Sequence, residues 1–294
     1  MKVKLISLTL IAFIGLSFTI YKVNYNDDYV QISTVKHGGY KYKVVYMQRE
    51  ASNKRIKAKY FAAKDFNGKL VPNRYKSWSS NKDIICVTSG TYMSDCDAKS
   101  AKPVGLTIDN GILVNKNMAD FDGLVIVYAT GGIVATNLDN KDLTVQGGNI
   151  SGMKLDIRGN SYHKTEFIKW SKDREATVFQ THLLVYKDQI KVSSSNSSSS
   201  KRERRFLAVG YDDDEQLIHC IVHSPEYTTL YNGTKKVLSF LNEFKEMEVT
   251  YMINLDTGCQ NVFELYNSNG SLNNTIKGPT SVNNAANLLV YYYE

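Results

Sequence analysis

The amino-acid sequence predicts an α+β fold: a strand-rich single domain with a mixed or antiparallel sheet and few helices, preceded by an N-terminal hydrophobic segment. Short apolar runs, some strictly alternating with polar residues, recur between positions 40 and 293, and that period marks strands with one buried face. Only two stretches carry apolar residues at helical spacing. The regular strand–helix alternation of a doubly wound parallel sheet is missing.

At the N-terminus, Lys2 and Lys4 precede an uncharged apolar run over 5–21, closed by Lys22. Its length lies between a signal-peptide core and a minimal membrane span. It has no polar face, which argues against a soluble amphipathic helix. Phe18, Thr19, Ile20 and Tyr21 are bulky where a small-x-small cleavage site would stand. Residues 1–22 are expected to form a cleaved signal or a retained anchor. The basic start then places the bulk of the chain outside the cytosol. Residues 23–39 read as a polar stalk, and 40–294 as the domain.

Strands are expected at 40–46 and 56–61, the second alternating strictly. Further candidates are 84–88, 106–108, 111–114, 124–128, 132–136, 181–186, 206–209, 217–223, 249–255, 262–266 and 288–293. Asp109-Asn110-Gly111 between two short apolar runs is a hairpin signal, because Asn-Gly accepts the positive φ angles of tight turns. Helices are expected at 164–174 and at 231–244, the latter with Val237, Leu238, Phe240, Leu241 and Phe244 on one face. The serine run at 193–200 cannot pack a core and reads as a surface loop.

The chain has 294 residues and a formal charge of +7, modest for this length. It shows no recognition helix, zinc finger or aromatic-basic repeat, so nucleic acid is excluded as the expected partner. Cys86, Cys96, Cys220 and Cys259 form no Cys-x-x-Cys pair, which argues against structural zinc. Outside the cytosol one or two bridges are compatible with them. Cys86 reads as a buried small hydrophobe, and Cys259 as packed or bridged. His219 and His223 sit four apart on a strand, too far for one metal shell. Asp212-Asp213-Asp214-Glu215 lacks calcium-loop spacing and reads as a β-turn. No cofactor and no metal are expected.

One segment concentrates site signals: Met252-Ile253-Asn254-Leu255-Asp256-Thr257-Gly258-Cys259-Gln260. An apolar strand ends on Asn-Leu-Asp and turns at Thr-Gly, setting a carboxylate beside a glycine. Asn254 and Asp256, two apart on a strand, face the same side. Upstream lie Thr88-Ser89-Gly90-Thr91-Tyr92 and then Pro103-Val104-Gly105-Leu106 up to Asn110-Gly111. Between these and the Asp256 segment lies Arg205-Phe206-Leu207-Ala208-Val209-Gly210-Tyr211-Asp212-Asp213-Asp214. Ser281-Val282-Asn283-Asn284-Ala285-Ala286-Asn287-Leu288 leads into the closing strand.

In order and spacing, these stretches resemble the phosphodiester glycosidase family over roughly 40–294. The family's counterparts are Asn-Leu-Asp-Gly-Gly-Gly-Ser, Asn-(Gly/Ala)-Gly-Phe-Phe and Arg-Thr-Ala-Ile-Gly. Thr88 and Thr91 replace the asparagine and first aromatic of the second motif. Thr257 and Cys259 flank the single Gly258 where the first has three glycines, reshaping any backbone anion cradle.

The resemblance implies hydrolysis of a sugar-1-phosphodiester bond in an extracytoplasmic glycan or glycolipid. Asp256 is the expected catalytic carboxylate, with Asn254 beside it. Arg205 is the expected phosphate ligand, because a guanidinium fork suits two oxygens. Gly258, Thr257, Gly90, Thr88 and His182 are expected around the substrate. Asp122, Glu175 and Glu264 are open as second carboxylates. The alternatives are a non-catalytic phosphosugar-binding protein of the same fold, or a structural envelope protein with no ligand.

Overall fold

The computed structural model describes residues 19–26, 29–49, 56–62, 68–97, 99–195, 200–276, 278 and 280–294. The apolar run expected to be a signal or anchor lies outside the described residues up to position 18. Among the described residues no helix is long and apolar enough to cross a membrane.

The chain opens with β1 (Thr19–Asn26), β2 (Val30–His37), β3 (Tyr40–Gln48) and β4 (Ile56–Phe61), followed by α1 (Val71–Ser79). Next come β5 (Asp83–Thr88), β6 (Thr107–Asp109), β7 (Ile112–Asn115), β8 (Gly123–Val127) and β9 (Ile133–Asn137). After α2 (Ser161–Asp173) run β10 (Thr177–Thr181), β11 (Leu183–Tyr186), β12 (Gln189–Ile190), β13 (Arg202–Tyr211) and β14 (Leu217–Thr228). α3 (Leu230–Lys245) leads to β15 (Glu248–Leu255), β16 (Phe263–Tyr266), β17 (Leu272–Thr275) and β18 (Leu288–Tyr293).

The strands form three sheets: β1-β2-β3-β14-β13-β15-β11-β12, then β7-β6-β10-β8-β9, then β17-β16-β5-β18-β4. Every strand pairing among them is antiparallel. The expectation of a strand-rich chain with few helices holds, and the sheets are antiparallel rather than mixed.

One face of each sheet meets the other two in a shared core, where Leu207, Ile221 and Ile253 pack with Phe179 and Val125 and with Tyr60, Phe263 and Leu289. Each outer face is covered by one helix. Val237, Phe240 and Leu241 of α3 lie on the first sheet. Phe167 and Trp170 of α2 lie on the second, and Val71 and Tyr75 of α1 on the third.

The stalk expected at 23–39 is a correction: β2 pairs with β3 along its whole length, and Val30, Ile32 and Val35 are buried. Val30 and Ile32 face the shared core and Val35 faces the α3 side, so the run is a strand covered on both faces. The Asn110-Gly111 hairpin forms as expected, with φ of 51° and 79°. α1 went unread because it buries only Val71 and Tyr75; its sequence signal is a proline in the first turn, where a missing N–H costs nothing. Asp212 closes the β13–β14 turn, accepting the Gln216 N–H on its side chain at 2.9 Å.

Candidate active site

The C-terminal ends of β5, β10 and β15 meet where the three sheets join. His182 is the residue at which the chain leaves the second sheet for the first. Its carbonyl accepts the Asn254 N–H at 3.1 Å. Thr181 Oγ1 donates to the Asn254 carbonyl at 2.6 Å, and Thr91 Oγ1 donates to the Gln180 carbonyl at 2.7 Å. The Asp256 N–H donates to the Gly90 carbonyl at 3.0 Å. The motif after β5 and the motif after β15, 166 positions apart by subtraction of 90 from 256, thus share a backbone hydrogen bond. Gly90 is required for this approach: a Cβ there would lie 2.3 Å from a Tyr60 ring carbon. Its N–H donates to Asn287 Oδ1 at 2.6 Å, which ties the segment to the residue just before β18.

Asp256 is 4% exposed. Its Oδ1 accepts the Gly258 N–H at 2.8 Å. Burial raises its carboxyl above the ordinary range, opposed by that N–H and by the charges of Arg205 and Arg202. The Asn254 amide donates to the Leu255 carbonyl at 2.9 Å and to the Tyr92 hydroxyl oxygen. With its oxygen accepting from Asn254, the Tyr92 hydroxyl keeps its own proton to donate. Burial holds that phenol well above its usual range, so it stays protonated.

The arginines fall out by strand parity. Residues opposite one another in an antiparallel pair share a face, and β13 pairs Arg205 with Leu255 and Phe206 with Asn254. Arg205 therefore points into the shared core with Leu255. It is fully buried, and donates to the Val262 carbonyl at 2.9 Å, Thr88 Oγ1 at 3.1 Å and Asn261 Oδ1 at 2.7 Å. Its guanidinium lies 4.4 Å from the Phe263 ring centre, and burial pushes it down to about 9. His223 beside it is pushed down to about 2 by burial and then by that guanidinium. Arg205 and Thr88, expected at the substrate, brace the interior behind the site instead. Arg202 and Arg204 have the parity of Phe206 and so share the Asn254 face. Arg204 acts electrostatically on the Tyr92 hydroxyl and on His182, and Arg202 on Asp256.

His182 faces a ring cluster: its centroid is 4.7 Å from Phe121 and 5.7 Å from Tyr92, and Tyr92 and Phe121 are 5.3 Å apart. Burial lowers the imidazole, against the opposing pull of Asp122. Asp122 Oδ1 accepts the Leu183 N–H at 2.9 Å, and burial raises its carboxyl. Of the three open second carboxylates, Asp122 alone enters this neighbourhood. Glu264 bonds Tyr266 on the third sheet, and Glu175 follows α2.

No family model matches the chain, and no curated protein sequence matches it. Among solved structures it is similar in fold to the zebrafish N-acetylglucosamine-1-phosphodiester alpha-N-acetylglucosaminidase catalytic domain auto-inhibited by pro-peptide. That likeness has 15% identity, a TM-score of 0.49, and covers 95% of this chain and 88% of that chain. A hypothetical protein from Synechocystis is similar at 9% identity, TM-score 0.46, over 90% of this chain and 62% of that one. A putative exported protein from Burkholderia pseudomallei follows at 8% identity and TM-score 0.41, over 86% and 74%.

The loop after Asp256 is stapled. Cys259 forms a disulfide with Cys96. Gln260 Nε2 donates to the Cys96 carbonyl at 2.6 Å, and Gln260 Oε1 accepts the Ala286 N–H at 2.8 Å. Thr257 Oγ1 donates to the Glu203 carbonyl at 2.8 Å. Cys86 and Cys220 are buried and lie outside this bridge, and burial pushes Cys86 up to about 12. His219 is also interior, its Nδ1 2.8 Å from the Tyr291 hydroxyl. Sequence reasoning missed Tyr92, Phe121, Cys96 and the role of Arg202 and Arg204. Tyr92 was legible in the motif after β5, while Arg204 needed the strand register.

Proposed function

We propose that the protein hydrolyses a sugar-1-phosphodiester bond in an extracytoplasmic glycan or glycolipid. The observation supporting this reading is the hydrogen bond from Asp256 to Gly90, which brings a buried carboxylate to the Asn254–Tyr92 pair and the Arg202–Arg204 side of β13. Breaking a sugar–phosphate bond expels a phosphate monoester, a good leaving group, so the need is for stabilising an oxocarbenium-like sugar and holding the phosphate. In this reading Asp256 acts on the sugar side as base toward water or as nucleophile. The phosphate departs with the bonding electrons toward Arg202 and Arg204, and water supplies the hydroxyl of the freed sugar. Arg205 positions β13 and the loop at Asn261. The Cys96–Cys259 bridge suits an oxidising compartment, and the N-terminal apolar run would deliver or tether the chain there.

The test is release of free sugar from UDP-N-acetylglucosamine and a panel of aryl sugar phosphodiesters, abolished in Asp256→Ala with an unchanged melting profile. No release from the whole panel sinks the hydrolase reading.

One observation favours a second reading, a phosphosugar-binding protein without turnover: the Gly258 N–H is spent on Asp256 and the Thr257 hydroxyl on Glu203, leaving fewer donors for an anion. That reading gains if sugar phosphates raise the melting temperature while no product forms.

A further inference from the structure

Strand register aligns one end of the first sheet from β1 across to β15. Thr19 of β1 lies opposite Lys36 of β2, which lies opposite Lys41 of β3. Next to this pair, Lys43 of β3 faces His223 of β14, His223 faces Arg205 of β13, and Arg205 faces Leu255 of β15. The β2–β3 hairpin, the start of β13 and the candidate site at Asp256 therefore share one end. α3 starts there too, since Leu230 follows closely on Thr228, the partner of Arg202. The apolar run expected to be a signal or anchor is joined to the fold at the same end, because residue 18 precedes Thr19.

This end is basic and the opposite end is acidic. Lys36 and Lys41 flank the hairpin, Lys201 and Arg202 open β13, and Lys235 lies near the start of α3, all of them exposed. Lys236 lies 3.5 Å from the centre of the Tyr40 ring, and Lys235 5.7 Å from that of Tyr231. Tyr227, 74% exposed, is the most exposed large apolar side chain among the described residues. The carboxylates nearby are engaged: Glu226 accepts the Lys41 N–H, Glu243 lies 3.5 Å from His37, and Glu203 accepts from Asn261. At the other end, where Tyr211 pairs with Leu217 and Glu248, Asp213, Asp214, Glu215, Glu246 and Glu248 are exposed. Lys187 there is paired with Asp142, and Arg49 donates to the carbonyls of Ile56 and Gly131. An anionic bilayer attracts the first end and repels the second, so it sets the orientation of the chain as well as holding it. Tyrosine, apolar in its ring and polar at its tip, is at home at headgroup depth. A dissolved polyanion would engage the lysines, yet it gives the exposed Tyr227 and the adjoining apolar run no role.

We propose that this end of the first sheet docks on an anionic membrane surface, with Lys36, Lys41 and Lys235 at the lipid headgroups and Tyr227 among them. The docking does not rest on the hydrolase reading; under that reading the site at Asp256 opens beside the bilayer.

Hydrogen-exchange mass spectrometry tests it on the full chain, in vesicles of phosphatidylcholine alone or mixed with phosphatidylglycerol. In the anionic vesicles the amides at 38–41 and 226–232 exchange at least about five-fold more slowly, the weight of one lysine's attraction to such a surface. Those at 212–216 are unchanged, and high salt removes the difference. The triple variant Lys36→Glu, Lys41→Glu, Lys235→Glu melts as the unmodified chain does and loses the slowing. Tyr227→Ser reduces it at 226–232, and because Tyr227 is so exposed this variant decides the matter if the triple variant is unstable. Equal exchange in the two kinds of vesicle overturns the proposal, as does failure to associate with either. Slowing at 212–216, or slowing that both variants retain, overturns it as well. Dextran sulfate added to the chain in neutral detergent gives no comparable slowing; if it does, the surface serves dissolved polyanions and the membrane proposal falls. A chain that shows the expected pattern yet releases no sugar overturns the hydrolase reading alone. Sugar release without the pattern overturns this proposal alone.

Discussion

At the scale of single residues, Asp256 combines the reactive role proposed for it with a cost to the fold. Its carboxyl is raised by burial, so the ionised form is disfavoured in the folded state. Stability from this group is greatest below the ordinary carboxylate value and is lost as pH rises through the higher folded value. Asp256→Asn is therefore expected to melt higher than the unmodified chain at pH 7.5, with the gap closing toward pH 3.5. Sugar release in the same variant falls by roughly 10²- to 10⁴-fold, the usual worth of a positioned base. Thermal melts at the two pH values and a single-substrate assay check both. Arg205 gives the opposite pattern. Arg205→Met strands the Val262 carbonyl and Asn261 Oδ1, which now accept from the guanidinium. The expected destabilisation is about 3–5 kcal/mol, typical of breaking a buried charged network, measured by denaturant unfolding. Arg202→Ala, on an exposed residue, changes stability by less than about 0.5 kcal/mol and raises KM for the phosphodiester.

At the scale of elements, the two loops that flank Asp256 decide the shape of the site. The Cys96–Cys259 bridge spans a sequence separation of 163, and removing a native disulfide costs about 2–5 kcal/mol. Cys96→Ser with Cys259→Ser is expected to lower the melting temperature by several degrees and to impair sugar release further than stability alone explains, because Gln260 loses its fixed partner at Cys96. Gly90→Ala forces the Tyr60 ring aside; overpacking of this kind costs about 1–3 kcal/mol, and Asn287, which bonds both Gly90 and Tyr60, shifts with it. Elements with strong periodicity were legible in the sequence: β4 and β18 appear with the expected bounds, and α3 differs only at its ends. β2 was hidden because its buried apolar residues are split between two faces, Val30 and Ile32 on one and Val35 on the other, so no single alternation runs through it, and β12 and β17 because two to four half-exposed residues leave no pattern. For the site, Asn254 and Asp256 were legible from the strand-end motif. Arg204 was not, since choosing between 204 and 205 requires knowing which residue of β15 lies opposite, and that register is set by tertiary pairing.

At the scale of the whole molecule, three sheets share one core and each wears a helix on its outer face, so protection from solvent should follow distance from the sheet junction. β13 is hydrogen-bonded on both sides, to β14 and β15, and its side chains from Arg204 to Val209 are all buried. Amide hydrogen exchange is expected to be slowest in β13, β14 and β15 and fast in the edge strands β12 and β17. Uniform exchange across the first sheet would contradict this layering. The third sheet carries a consequence for synthesis. β18 lies between β4 and β5, yet residues 288–293 follow every other strand in the chain. While the polypeptide is being made, the facing edges of β4 and β5 wait through more than half its length without the strand that joins them. Asn287, which holds Gly90 and Tyr60 in place, arrives with that strand. A ribosome stalled before position 287 would therefore release a chain with open sheet edges and no organised pocket, a natural substrate for chaperones and proteases.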